Sequence, residues 1–316
     1  MLQKGRFLLT LTILTCAALI FLTGLNLYSA PDSNRRLPFN DNDPTARAIA
    51  SDRSDHVFIG MERPDFFPEM RTMQGSGPIP DTNITPSATA SDELYPNSAP
   101  YGELNRIVIS TNGVDEDGDG LFDPGVTADD MNLWLLRIDG TNATQLTDMS
   151  GDELNPAFSP GGRLVAFASA VSGNSQIYTV EVLTGTIRNV TTGSGNKYDP
   201  SWSTDGNTIV FSGDMNGNRD LFVVPSDGSQ APQAVTTDPA DDIQPDWSPS
   251  PAVAFPIIFT RDLPGGSRIF GVTMDGGSEQ QLSTGGGDAT ASDRDPSWRH
   301  NVSMIAFASD RLQSGT

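Results

Sequence analysis

The chain has 316 residues, with 40 acidic side chains against 19 lysines and arginines, a formal net charge of −21. That balance excludes a nucleic-acid binder, which needs a basic footprint, and excludes adsorption to anionic lipid; it suits solubility, basic partners and cations. The single cysteine, Cys16, rules out an internal disulfide and a cysteine-based metal site.

In chain order, Lys4 and Arg6 precede Phe7–Leu27, an apolar run of 21 residues without charge or proline. Such a run fits a long signal peptide, with Ser29-Ala30 before the cleavage site, or a single uncleaved membrane anchor. Either way, residues 1–30 are set apart, and the basic flank keeps the N-terminus in the cytoplasm and the rest outside, periplasmic or at the cell surface. A lipoprotein reading of Cys16 fits poorly, because Thr15 precedes it and the apolar run continues past it. Residues 31–98 are rich in Pro, Asp, Ser, Thr and Asn and read as a flexible, low-complexity linker. Within it, His56–Arg71 carries Val57, Phe58, Ile59, Phe66 and Phe67, which suits a loop packed on the domain, a docking segment or a closing strand.

After the strand Arg106–Thr111 comes Asp115-Glu116-Asp117-Gly118-Asp119-Gly120-Leu121-Phe122-Asp123. A hard cation such as Ca²⁺ requires several oxygen ligands on one tight loop. Asp115, Asp117 and Asp119 supply carboxylates, Gly120 allows the sharp turn, Leu121 offers its carbonyl, and Asp123 binds directly or through water. Val126 stands where a helical EF-hand has its bidentate Glu. The flanks are strands, so this is a hairpin loop, similar to calcium loops found in β-hairpins and not to a helical EF-hand. The alternative is an acidic hairpin tip that stays hydrated.

From Asn155 to Thr192 four short β-type runs alternate with turns at Pro160-Gly161-Gly162, Ser172-Gly173-Asn174 and Thr184-Gly185. The pattern recurs: Asp199-Pro200-Ser201-Trp202-Ser203, Gln244-Pro245-Asp246-Trp247-Ser248 and Asp295-Pro296-Ser297-Trp298 open further copies, with prolines 44, 45 and 51 residues apart. Second strands align at Val108–Ser110, Ala166–Ser169, Val210–Ser212, Ile258–Thr260 and Ala306–Ser309. Third strands end near Asp139-Gly140, Asp227-Gly228 and Asp275-Gly276, and fourth strands near Gln145-Leu146-Thr147, Asn189-Val190-Thr191, Ala234-Val235-Thr236 and Gln281-Leu282-Ser283. A period in the forties with four strands per unit is the signature of a propeller blade.

These residues resemble the WD-like repeat of TolB-type β-propellers, over residues 99–316. The resemblance implies an all-β propeller of four-stranded antiparallel blades, about five recognisable and the last incomplete, behind an N-terminal apolar helix and a flexible linker. It is specific for fold and less so for function, since similar blades occur in periplasmic scaffolds, peptidase propeller domains and some lyases.

No nucleophile elbow, P-loop, metalloprotease helix or dinucleotide fingerprint occurs, and the two histidines, His56 and His300, lie far apart in sequence. Trp202, Trp247 and Trp298 recur at blade starts and read as packing residues. The function expected is an exported, non-catalytic scaffold binding a protein or envelope component, with a calcium hairpin. The alternative is the propeller portion of an extracytoplasmic hydrolase or lyase, of peptidase or pectic-sugar type.

Two expectations concern assembly. Either an N-terminal segment completes the last blade, with His56–Ile59 as candidate strand, or the chain is a fragment. In a four-stranded blade the loop between second and third strands shares an end with the loop into the next blade. That end should be acidic, with Asp152, Glu153, Asp199, Asp241, Asp242, Asp293 and Asp295 forming a partner-binding face and the cation loop at its edge.

Overall fold

The computed structural model describes residues 46–51, 56–61, 70–74, 82–83, 93–99, 106–116, 118–119, 127–137, 141–284, 291–298 and 304–310. Phe7–Leu27 and Cys16 lie outside them.

Six antiparallel sheets follow one another along the chain. Blade 1 holds β1 (Ala46–Ser51), β2 (His56–Met61), β3 (Met70–Gln74) and β4 (Thr82–Asn83). Blade 2 holds β5 (Glu93–Ser98), β6 (Arg106–Gly113), β7 (Thr127–Arg137) and β8 (Thr144–Gln145). Blade 3 has β9 (Glu153–Phe158), β10 (Leu164–Ser169), β11 (Gln176–Glu181) and β12 (Ile187–Asn189). Blade 4 has β13 (Lys197–Trp202), β14 (Thr208–Gly213), β15 (Asp220–Pro225) and β16 (Gln233–Ala234). Blade 5 has β17 (Asp242–Trp247), β18 (Ile257–Arg261), β19 (Arg268–Val272) and β20 (Glu279–Gln281). Among the described residues blade 6 is the pair β21 (Asp293–Trp298) and β22 (Ile305–Ser309).

First strands touch in succession, β1 to β5, β9, β13, β17 and β21, and β21 returns to β1. The first strand of each blade is therefore innermost, and the ring closes. Closure differs from the expectation on His56–Ile59: β2 pairs with β1 and β3 in a sheet of its own, and it is β1 that lies against β21 and β22. Blade 1 and β5 also occupy sequence assigned above to a linker. The polar composition that suggests a linker is equally that of short strands with long turns; the Asp-Pro pair present, Asp43-Pro44, precedes β1 in sequence instead of standing inside it, and the Ala-Phe second-strand signal is missing.

Packing between blades is apolar and periodic. Phe167 and Tyr178, Phe211 and Phe222, and Phe259 and Phe270 are cross-strand partners of second and third strands, and their rings stack at 5.7, 5.8 and 5.8 Å. Each pair faces the preceding blade: Phe167 meets Val108 and Leu133, Phe211 meets Ala166 and Ile177, and Phe259 meets Val210 and Leu221. Trp202 and Trp247 belong to these clusters, as expected of packing residues.

The residue-Pro pair at each blade start makes a β-bulge. Asn155, Asp199, Gln244 and Asp295 have φ of 54°, 53°, 54° and 51°, and the register slips by one residue in β9, β13, β17 and β21. Proline cannot donate to the ladder, so the strand absorbs it in a bulge. A second periodic device closes each blade. The hydroxyls of Thr147, Thr191, Thr236 and Ser283 accept the amides of Leu133, Ile177, Leu221 and Ile269 at 2.9, 2.8, 2.9 and 3.0 Å. The recurring Thr or Ser after the fourth strand thus stands in for a ladder carbonyl.

Candidate functional site: the acidic end of the ring

Alternating strand direction brings the loops between second and third strands to the same end as the loops joining consecutive blades. At this end one position repeats. Asp152 accepts the Met131 amide at 3.0 Å, Asn196 the Ser175 amide at 3.1 Å, and Asp241 the Arg219 amide at 3.0 Å. Each lies immediately before an inner strand and ties it to the third strand of the blade behind.

The next position is the first residue of the inner strand, and it is a buried ionisable group in four blades: Glu153, Lys197, Asp242 and Asp293, all with 0 % exposure. Three residues assigned above to a partner-binding face are therefore interior. Glu153 Oε2 accepts the Thr147 hydroxyl at 2.8 Å, while Oε1 has no hydrogen-bond partner. Burial pushes its carboxyl up to about 7, helped by Asp130 and Asp148 and opposed by the bonds from Thr147 and Met149. Asp242 is gripped by the Arg261 guanidinium at 2.6 and 2.8 Å. Burial raises its carboxyl and Arg261 opposes the rise. Asp293 accepts the Ser309 hydroxyl at 2.7 Å. Burial lowers the Lys197 ammonium, which donates to the Ser194 and Gly195 carbonyls at 3.2 and 3.0 Å.

Asp199 and Asp295 also depart from expectation. They stand in the inner-strand bulges, half-buried: Asp199 accepts the Ser212 hydroxyl at 3.0 Å, and Asp295 accepts the Gln244 side-chain amide. Of the seven residues, Asp152 and Asp241 are exposed at the loop end. Others that the sequence reading passed over join them there: Asp129 and Asp148 are exposed, and Asp214, Asp238 and Asp262 are partly so. The solvent-accessible cations among the described residues of this end are Arg219, over the Tyr198 ring at 4.5 Å, and Arg294, 3.1 Å from Asp262. A signal for these carboxylates was present, since Asp129 is the third residue of β7 and the others lie one to four residues past a strand end, but strand ends had to be known first.

Asp115, Glu116 and Asp119 of the expected cation loop are described and lie at the same end; Asp117, Leu121 and Asp123 fall outside the described residues. Gly118 donates its amide to Asp115 Oδ1 at 2.8 Å with φ of 75°, so the loop turns back on its first carboxylate. Among the described residues, no three His, Cys, Asp or Glu side chains are grouped to hold a metal, and none of the helices is long and apolar enough to cross a membrane.

A family model described as the TolB beta propeller domain matches residues 125–316. The chain belongs to the TolB beta propeller family. It is 41 % identical over 59 residues to a protein TolB homolog of Chlorobium luteolum, a stretch that is 19 % of this chain and 14 % of that protein. The TolB propellers of known structure agree in fold. A TolB from Agrobacterium tumefaciens superposes with a TM-score of 0.59 at 21 % identity, covering 76 % of this chain and 82 % of that one. A puromycin-hydrolysing peptidase of Mycobacterium tuberculosis superposes with a TM-score of 0.56 at 13 % identity, covering 86 % of this chain but 46 % of that one. The fold is thus shared with a protein described as a peptidase.

Proposed function

We propose that this TolB-type propeller is an exported, non-catalytic scaffold whose acidic end docks a basic region of a protein or other envelope component. The observation that carries the reading is the one-sided charge. Among the described residues of the loop end, Asp129, Asp148, Asp152 and Asp241 are exposed against two accessible arginines, whereas at the opposite end the exposed Asp205, Asp227 and Asp275 share the surface with Arg137 and with Arg163, which pairs with Glu181. Export rests on the basic flank and apolar run of residues 1–27, as signal peptide or anchor. The Asp115–Asp123 loop is assigned to Ca²⁺, with Asp115, Asp117, Asp119 and Asp123 as carboxylate ligands and Leu121 through its carbonyl; the tight turn at Gly118 supports it.

A pull-down from envelope extract tests the docking reading. Wild type and a variant with Asp129→Lys and Asp148→Lys are compared at low and high salt. Capture by the wild type that salt weakens and charge reversal abolishes is expected, since exposed charges act within a Debye length. Capture indifferent to both overturns the reading. A screen with peptides and pectic oligosaccharides addresses the hydrolase or lyase alternative; turnover would replace the scaffold reading.

A further inference from the structure

Arg261, the last residue of β18, is buried with its guanidinium held on two sides. Nε and Nη2 donate to Asp242 at 2.6 and 2.8 Å, and Nη1 and Nη2 to Glu279 at 2.6 and 2.8 Å. Asp238, on the loop that leaves blade 4, stands 3.6 Å from Nη1. The Phe259 and Phe270 rings lie beneath the guanidinium at 5.3 and 4.7 Å. A fourth carboxylate belongs to the same joint. Asp220, the first residue of β15, is 2 % exposed, and its Oδ1 has no hydrogen-bond partner.

Asp242 and Asp238 repel Asp220, Arg261 attracts it, and the Asn216 side chain bonds it. Lys197 shares its rung through Gly213, but its ammonium is turned onto the Ser194 and Gly195 carbonyls. The joint therefore sets one guanidinium against four carboxylates. A buried excess of negative charge is relieved by neutralising one member. Glu279 and Asp238 reach solvent, which shields their charge. Asp242 has both oxygens in the arginine fork, and a proton there would break one of those bonds. Asp220 has the buried oxygen that nothing uses.

We propose that the joint between blades 4 and 5 is a proton switch, in which Asp220 takes up one proton on mild acidification and the two blades then hold together more firmly. Burial, with repulsion from Asp242 next, pushes the Asp220 carboxyl up to about 6, in agreement. The folded-state value lies above the ordinary 3.8. The stability that protonation confers is therefore complete below that ordinary value and is lost as pH rises through about 6.

The test is a carboxyl-carbon NMR titration and a series of thermal melts on the full chain between pH 5 and pH 8, at constant ionic strength with chelator. Wild type, Asp220→Asn, Asp238→Asn and Glu153→Gln are compared. Asp220 is expected to titrate near 6. Its contribution should lift the wild-type Tm by about 3 °C from pH 8 to pH 5. Asp220→Asn should remove that step by melting higher at pH 8, while Glu153→Gln retains it. Asp238→Asn, with a partly exposed side chain, should move the midpoint to lower pH, and decides the matter if Asp220→Asn does not fold. An Asp220 carboxylate that stays ionised to pH 5, an undiminished step in Asp220→Asn, or an unmoved midpoint in Asp238→Asn would overturn the switch. So would a Tm governed by Na⁺, K⁺ or Ca²⁺ and not by pH, with that dependence lost in Asp220→Asn.

Discussion

The indole N–H of Trp202 donates to the carbonyl oxygen of Ala157, 2.9 Å away and 45 residues earlier. The bond runs from the inner strand of blade 4 to that of blade 3, so the residue repeated at blade starts for packing also stitches the ring. Related stitches follow: Ser201 Oγ accepts the Trp247 amide at 2.9 Å, and Asp246 Oδ2 accepts the Trp298 amide at 2.7 Å. The Trp298 indole N–H, in contrast, is buried without a partner.

That contrast gives a paired prediction. Trp202→Phe removes a donor from a buried carbonyl and should cost about 1–3 kcal/mol beyond the lost ring volume. Trp298→Phe removes a donor that bonds nothing, so its cost should be the smaller of the two. Urea midpoints of both variants check this; equal losses would show that the indole bond contributes nothing.

A second pair concerns glycine. Gly185 and Gly276 both sit in hairpins between third and fourth strands, with φ of 67° and 69°. A Cβ on Gly185 meets nothing within 4 Å, but one on Gly276 would stand 2.2 Å from the Val235 carbonyl oxygen of the preceding blade. Gly185→Ala should therefore cost only the left-handed backbone strain, about 1 kcal/mol. Gly276→Ala must also push two blades apart, and the melting temperature should fall by a clearly larger amount.

Glu153 makes stability depend on pH. Its folded carboxyl is raised from 4.5 to about 7, so its stabilising protonated form is complete below 4.5 and is lost as pH rises through 7. Glu153→Gln keeps an acceptor for the Thr147 hydroxyl and removes the charge. It should melt above wild type at pH 8 and with wild type at pH 4.5, as followed by calorimetric scans at both values.

Calcium binding to the Asp115–Asp123 loop should raise the melting temperature, because a ligand of the native state stabilises it. Titration calorimetry with Ca²⁺ is expected to show heat for wild type and none for the chain carrying Asp117→Ala and Asp119→Ala. A chelator should lower Tm in the wild type alone. The absence of heat and of a chelator effect in wild type would remove the site.

The sequence by itself determined the strands, turns and blade order from residue 106 onward. Those features follow from local chemistry: period-two apolar runs, glycines that accept positive φ, and a residue-Pro pair repeated at a near-constant spacing. The two-stranded last blade was legible for the same reason, and the first blade was not, since it lacks the repeat's marker residues. Tertiary structure alone decided the fate of the carboxylates. Asp152 and Glu153 are neighbours in sequence, as are Asp241 and Asp242, yet in each pair the first caps a backbone amide at the surface and the second is wholly buried. Which of two adjacent acids enters the interior depends on where the strand begins and on which blade covers it. Neither is encoded in the composition of the loop. Burial then sets the chemistry, because a carboxylate removed from water must find a guanidinium, as Asp242 finds Arg261, a hydroxyl, as Asp293 finds Ser309, or a proton.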